Sequence, residues 1–274
     1  LLDVGLPDIS GLKVLEKIQK LPKPPPVIII TAHGTLDTAL EARRLGAREY
    51  FLKPLDLAAI QRTIREVFAP VKAAPRSDTT MIGSTEPMQR AFAAIAQASG
   101  CDTPVLLQGP PGSGKSLAAE VIHRHSARAD QPLTTFRADE WPEDRAEAAL
   151  DDAITQTGEG VLFLDEISTW SKPLQAALMH RLTTGKLRAR LFSASSHDLA
   201  EKVAAGTFRE DLFYALAVLR VILPPLRDRT GDIPALAASR TGDLALSAEA
   251  LAALKAHAWP GNVRELQTAL AHAA

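Results

Sequence analysis

Eight consecutive residues, Gly109-Pro110-Pro111-Gly112-Ser113-Gly114-Lys115-Ser116, have the composition of a phosphate cradle. Glycines let successive backbone N–H groups turn toward one anion, and a helix N-terminus adds partial positive charge. A lysine at this spacing reaches the β- and γ-phosphates of a nucleoside triphosphate, and the hydroxyl beside it ligates Mg²⁺. We assign Gly109, Gly112, Ser113, Gly114, Lys115, Ser116 and Leu117 to nucleotide binding, with Ser116 also a metal ligand. Downstream, Gly160-Val161-Leu162-Phe163-Leu164-Asp165-Glu166-Ile167 is an apolar run that ends in two acids. In a chain with a phosphate loop, Asp165 is expected to hold the Mg²⁺ shell. Glu166 is expected to orient and deprotonate the attacking water.

The neighbouring elements suit that chemistry. Val105-Leu106-Leu107 reads as a short buried strand, and Leu117 to Ile122 as the first turns of a helix. Strand, loop and helix in that order is the context in which the motif works. Met88, Phe92 and Ile95 mark an earlier helix with one apolar face.

A second polar group stands near the start of the chain. Residues 1–68 alternate short apolar strands with helical patterns: strand ends at 1–3, 27–31 and 49–52, and helices over 11–19, 36–45 and 57–68. That alternation predicts a parallel sheet, whose carboxyl edge collects functional side chains. Asp3, Thr31 and Lys53 fall at that edge. A carboxylate, a hydroxyl and an ammonium gathered there could accept and neutralise a phosphoryl group.

Composition narrows the function classes. A formal net charge of −1 gives no electrostatic case for nucleic-acid binding by the chain as a whole. The single cysteine, Cys101, excludes an internal disulfide and a cysteine metal cluster. His123 and His125 are two apart on a predicted helix, so they point to different faces and read as surface or boundary residues. No apolar segment is long enough to span a membrane, and Leu-Leu-Asp opens the sequence without a leader pattern. A cytoplasmic protein with no membrane partner is expected. Residues 69–80, rich in Pro, Ala and small polar types, read as a linker.

Asp3-x-x-x-Pro7-x-x-x-Gly11, Thr31-Ala32, Tyr50 and Lys53-Pro54 together resemble the second half of a two-component receiver domain. The resemblance implies that Asp3 is the phosphoacceptor, Thr31 and Tyr50 the switch pair, and Lys53 the cation that contacts the phosphoryl group. Receivers have five strands and an acidic pair on the first. Three strands are present here, so the chain is expected to begin inside such a domain. Farther on, Gly206 to Tyr214, Leu223 to Arg229, Asp232-Ile233-Pro234 and Trp259 to Leu266 join the phosphate loop and the Phe163–Ile167 run. Together they resemble the central AAA+ domain of NtrC-type, sigma-54-dependent transcriptional activators.

The fold this resemblance implies is α/β. A partial flavodoxin-like receiver sheet (1–68) and a linker (69–80) precede a P-loop AAA+ α/β subdomain (81–234) and a small helical lid (235–274). It also implies a ring-forming homo-oligomer that uses ATP and Mg²⁺, takes its signal from a sensor histidine kinase and acts on an RNA polymerase holoenzyme. Arg209 matches an arginine finger that reaches a neighbouring subunit's nucleotide, and Arg264 the sensor arginine of the lid.

Departures from the family pattern are specific. The Gly-Ala-Phe-Thr-Gly-Ala loop that touches sigma-54 in the family has no counterpart between 141 and 158, and a second loop is trimmed to 183–189. The sensor strand ends Ser195-Ser196 instead of Thr-Asn. Arg137 stands where an asparagine restrains the catalytic glutamate, and Ala215 where a second finger arginine stands. The ATP pocket is kept while the sigma-contacting surface is reduced, so nucleotide binding follows more directly than turnover or sigma-54 contact. The sequence stops at Ala274 without a helix-turn-helix, which assigns any DNA contact to a domain outside it. The leading reading is a transcriptional response regulator with an ATP-binding AAA+ domain. An ATP-sensing interaction module with little or no hydrolysis is the alternative. A protein-unfolding AAA+ chaperone fits the 208–211 and 259–262 stretches less well.

Overall fold

The computed structural model describes residues 1–6, 8–21, 24–32, 35–53, 81–185, 187–241 and 246–273. The helix expected over 57–68 and the linker at 69–80 lie outside the described residues.

Three strands, β1 (Leu2–Asp3), β2 (Val27–Thr31) and β3 (Ala47–Leu52), form a parallel sheet in chain order. Helices α1 (Gly11–Gln19) and α2 (Leu36–Arg44) make the crossovers. Each helix starts where a hydroxyl satisfies a free amide: Ser10 Oγ accepts from Leu12 N–H, and Thr35 Oγ1 from Thr38 N–H. β3 starts two residues before the expected Glu49, with a register irregularity between Val27 and Ile28. Leu15, Ile29, Ala39, Ala42 and Tyr50 form the core of this part.

The larger sheet contains β4 (Val105–Gln108), β5 (Leu133–Arg137), β6 (Val161–Asp165), β7 (Arg190–Ser195) and β8 (Leu219–Ile222). All its pairings are parallel, in the order β5-β6-β7-β4-β8. Because β4 sits between β7 and β8 while the next strand in sequence lies at the far edge, the chain leaves β4 at a topological switch point. Open α/β sheets bind their ligands at such points.

Side-chain alternation sends Val105, Leu107, Val161 and Phe163 to one face and Leu106, Leu162 and Leu164 to the other. The first face packs against α3 (Glu86–Ser99) and α4 (Lys115–Arg124) through Met88, Phe92, Ile95 and Ile122. The second packs against α5 (Glu143–Thr157), α6 (Lys172–Thr183) and α8 (Glu210–Leu216) through Leu150, Leu178 and Leu212. A short helix α7 (Leu199–Ala204) precedes α8. His123, expected at the surface or at a boundary, is buried on α4, with Nε2 2.9 Å from the Gln131 carbonyl oxygen.

A 3₁₀ segment at Leu226–Asp232 leads to the lid helices α9 (Ile233–Thr241), α10 (Ala248–Ala256) and α11 (Asn262–Ala273). The lid has its own core, Leu226, Ile233, Leu236, Trp259, Leu266 and Leu270. Helix α3 joins the two sheets: Leu36 of α2 enters the core around Phe92, and Ala96 of α3 enters the core around Tyr50.

Candidate functional site

At the carboxyl end of β4 the chain needs left-handed backbone twice, at Gly112 (φ 75°) and Gly114 (φ 110°). A side chain on Gly112 would also strike the lid, since an added Cβ would lie 2.1 Å from the Gly261 carbonyl oxygen. Both positions therefore require glycine for conformation, and Gly112 requires it for space as well. Lys115 at the start of α4 is 7% exposed. Its Nζ donates to Gly109 O at 2.9 Å and lies 2.9 Å from Glu166 Oε1.

Glu166 follows β6 in a left-handed conformation (φ 46°), which turns its carboxylate back across the sheet edge. Its Oε2 accepts from the backbone N–H (3.0 Å) and the hydroxyl (2.7 Å) of Ser196, just past β7. Burial pushes the Glu166 carboxyl up, but the bonds from Ser196 and Lys115 outweigh it and hold the group below its ordinary value. Asp165 is raised, by burial first and then by the charge of Glu166, with Arg137 and Lys115 only partly offsetting. Arg137 Nε is 3.9 Å from Asp165 and pairs more closely with Asp139 and Glu140. The position expected to restrain Glu166 thus serves Asp165, and Ser196 with Lys115 restrains Glu166 instead.

These groups border a cleft of about 640 Å³, lined on the loop side by Gly112, Ser113, Gly114, Lys115, Ser116 and Leu117. Gly109 lies outside that lining and serves through its carbonyl. Arg264 of α11 stands on the lid wall. The Trp259-Pro260-Gly261-Asn262 turn fastens that wall to the loop. Asn262 (φ 53°, 2% exposed) accepts from Leu226 N–H through Oδ1 (2.8 Å) and donates from Nδ2 to Pro111 O (2.8 Å). Val263 N–H donates to Gly112 O at 3.1 Å. A fully buried Asp232 accepts from the N–H and O–H groups of both Ser84 and Thr85, and so ties the segment that follows Met81 and Ile82 to the start of the lid.

Arg209 is not in this cleft. It is half exposed before α8 and makes a forked pair with Asp211 (3.0 and 2.7 Å). In the smaller sheet, Asp3 and Lys53 meet at the carboxyl edge, Nζ to Oδ2 2.6 Å, and Lys53 N–H donates to Thr31 O. Lys53 holds the Asp3 carboxyl below its ordinary value. Tyr50 lies in the core: it is 5% exposed, its hydroxyl has no partner, and burial pushes it up to about 12.

Ser196, Asp232 and Asn262 were missed as site residues by sequence reasoning. Asn262 and Asp232 lie in stretches that carried the family resemblance, but nothing in their spacing discloses what they bind.

Comparison with known proteins extends over the same residues. The response regulator receiver domain family matches residues 1–65, the sigma-54 interaction domain family 82–226, and the AAA+ ATPase lid domain family 227–274. The transcriptional regulatory protein ZraR of Salmonella typhimurium is 33% identical, over 100% of this chain and 71% of its own length. The DNA-binding transcriptional regulator NtrC of Escherichia coli is 36% identical, over 97% of this chain and 66% of its own. Among solved structures, NtrX from Brucella abortus in complex with ATP superposes with a TM-score of 0.64 at 29% identity, covering 98% of this chain and 68% of that one. Among the described residues no helix is long and apolar enough to cross a membrane. Receiver, sigma-54 interaction domain and lid occur here in one order and in one chain, which belongs to the sigma-54-type response regulators of two-component systems that carry an AAA+ domain.

Proposed function

We propose that this regulator binds Mg²⁺·ATP between the phosphate loop and the lid and hydrolyses it between subunits of a homo-oligomeric ring. The observation that carries this reading is the convergence of Lys115, Asp165 and Glu166 on one cleft whose lid wall bears Arg264. NtrX, whose structure was determined with ATP and with ADP, supports it by resemblance. Mg²⁺ takes one or two protein oxygens and fills its remaining positions with phosphates and water. Ser116 and Asp165 are the two that would hold it, and Asp165, crowded by Glu166, is an acid in want of positive charge. When bound, the ion neutralises charge on the β- and γ-phosphates.

The chain's own residues supply the rest. Lys115 binds the phosphates, and Glu166 orients a water and takes its proton at the carboxylate. Arg209, exposed and outside its own subunit's cleft, serves the neighbour's nucleotide. On the receiver part, an Asp3 oxygen accepts a phosphoryl group from a sensor histidine kinase, with Lys53 beside it and Thr31 and Tyr50 as the responding pair. The output acts on an RNA polymerase holoenzyme. The family's hexapeptide loop takes no part in that output, because α5 fills the interval where the loop would stand. DNA is reached through a domain outside this sequence, and the protein works in the cytoplasm.

Calorimetry and ATP turnover with the full chain test this. Glu166→Gln keeps Mg²⁺-dependent ATP binding and loses about 10²- to 10⁴-fold in hydrolysis, the usual contribution of a positioned general base. Absence of Mg²⁺-dependent ATP uptake by the wild type would overturn the reading. Tight uptake with no turnover at any protein concentration would leave an ATP-sensing module in its place.

A further inference from the structure

Arg229 is buried where an arginine gains little from the protein alone. It is 2% exposed, it lies in the 3₁₀ segment before α9, and it lines the nucleotide cleft. Its Nη2 donates to Ser113 O at 3.1 Å, and its Nε is buried with no partner. The nearby acid, Asp232, has both oxygens committed to Ser84 and Thr85. Burial lowers the guanidinium from its ordinary value, and the charge of Asp232 only partly opposes this. A guanidinium brings five N–H donors. Here one hydrogen bond is supplied to it, and a desolvated cation left so poorly paired is costly. Such a cost is retained where a ligand brings the missing acceptor.

The surroundings narrow the ligand atom. Phosphates have Lys115, the loop amides and Ser116 at the Glu166 side of the cleft. Arg229, bonded to Ser113 O, shares the lining of the cleft with the apolar side chains Ile82, Leu236 and Val263. Met81, also on the cleft wall, rests on Gly114. Apolar side chains with one planar donor group among them suit a flat heteroaromatic ring that offers in-plane acceptors. We propose that Arg229 reads the base of the bound nucleotide by donating to a ring nitrogen of the purine. This rests on the nucleotide reading above and adds a specificity residue to it.

The test uses the full chain with Mg²⁺ and titrates ATP against its 1-deaza, 3-deaza and 7-deaza analogues, each of which replaces one ring acceptor by C–H. The wild type should bind one analogue about 10- to 100-fold more weakly than ATP, the range for a hydrogen bond to a charged donor. Arg229→Met should bind ATP and that analogue alike. A base contact also predicts that ligand-free Arg229→Met melts no lower than the wild type, because it removes a poorly paired buried cation. Equal binding of all four nucleotides by the wild type, or undiminished discrimination by Arg229→Met, overturns the assignment while leaving ATP binding intact. Absence of ATP binding altogether overturns both readings. If Arg229→Met does not fold, the wild-type series still decides whether a ring nitrogen is read. Arg229→Lys, which keeps the charge and loses the planar fork, then decides whether this residue reads it: retained discrimination refutes the assignment.

Discussion

Asn262 joins three segments that are far apart in sequence, and its removal should uncouple the lid from the phosphate loop. In Asn262→Ala the buried Leu226 N–H loses its side-chain acceptor, at a cost of about 1–3 kcal/mol. Loss of the Nδ2 bonds to Pro111 O and the longer one to Pro260 O removes about 1 kcal/mol more. Alanine at φ 53° adds about 1 kcal/mol, since asparagine tolerates the left-handed region better than other side chains. The sum is about 3–5 kcal/mol, large against ordinary domain stability. Two further variants separate the parts. Asn262→Gly relieves the backbone and keeps the hydrogen-bond loss, so it should be about 1 kcal/mol less damaging than Ala. Asn262→Asp keeps an acceptor for Leu226 N–H but sets a carboxylate against the Pro111 carbonyl, so it should spare lid stability more than nucleotide affinity. Urea unfolding followed by the fluorescence of Trp259, buried in the lid core, reports the first effect, and calorimetric ATP titration the second. Ala and Gly variants both within about 0.5 kcal/mol of the wild type, the spread of ordinary surface substitutions, would refute the reasoning.

Three further outcomes are expected. Glu166 is held below its ordinary value, so its ionised form is lost only as pH falls through that lowered value. Ser196→Ala removes one of the bonds that hold it down. The acid limb of ATP hydrolysis should then move to higher pH with the alkaline limb in place, and an unmoved acid limb would count against Ser196. Asp165 is raised by burial and by Glu166, so its ionised form costs stability at neutral pH. Asp165→Asn should therefore raise the melting temperature without nucleotide while abolishing the Mg²⁺ dependence of ATP binding. A lower melting temperature would contradict the sign. Arg209→Ala should leave ATP affinity unchanged and lower hydrolysis about 10³-fold or more, the scale of an arginine finger. Mixing it with the inactive Glu166→Gln protein should recover turnover, because each subunit supplies what the other lacks. No recovery would exclude a finger supplied by the neighbour.

What the sequence disclosed was chemistry whose partners are backbone or ligand. The phosphate loop is legible because closely spaced glycines and a lysine must meet one anion, and the structure places Gly112, Gly114 and Lys115 around one cleft. Asp3 and Lys53 were legible as residues at strand ends because a parallel sheet collects its carboxyl ends at one edge. The misses share a cause: each depends on register or fold-back that no local pattern encodes. Leu164 of β6 pairs with Ser193 of β7, and just past the ends of these neighbouring strands Glu166 and Ser196 meet. Arg137, one strand over, pairs at the level of Asp165 and so serves that acid instead.

The same register gives Glu166 two restraints of different kinds. Lys115 follows the loop and must turn to phosphate when a triphosphate binds, whereas Ser196 directly follows β7 and does not. On the proposed function, nucleotide binding thus frees one oxygen of the base and leaves the other tied through a strand tip. β7 lies between the strand that carries the loop and the strand that carries the acids, so a small shift of that central strand is felt on both sides. A serine at this place offers its backbone N–H and its hydroxyl to a single carboxylate oxygen, whereas an asparagine approaching from Arg137's strand would have come from the opposite side. The restraint on the base has therefore moved from the sheet's edge strand to its centre. There it shares a strand end with the phosphate loop itself, because Gly109 N–H donates to the carbonyl of Ser195, one residue before Ser196.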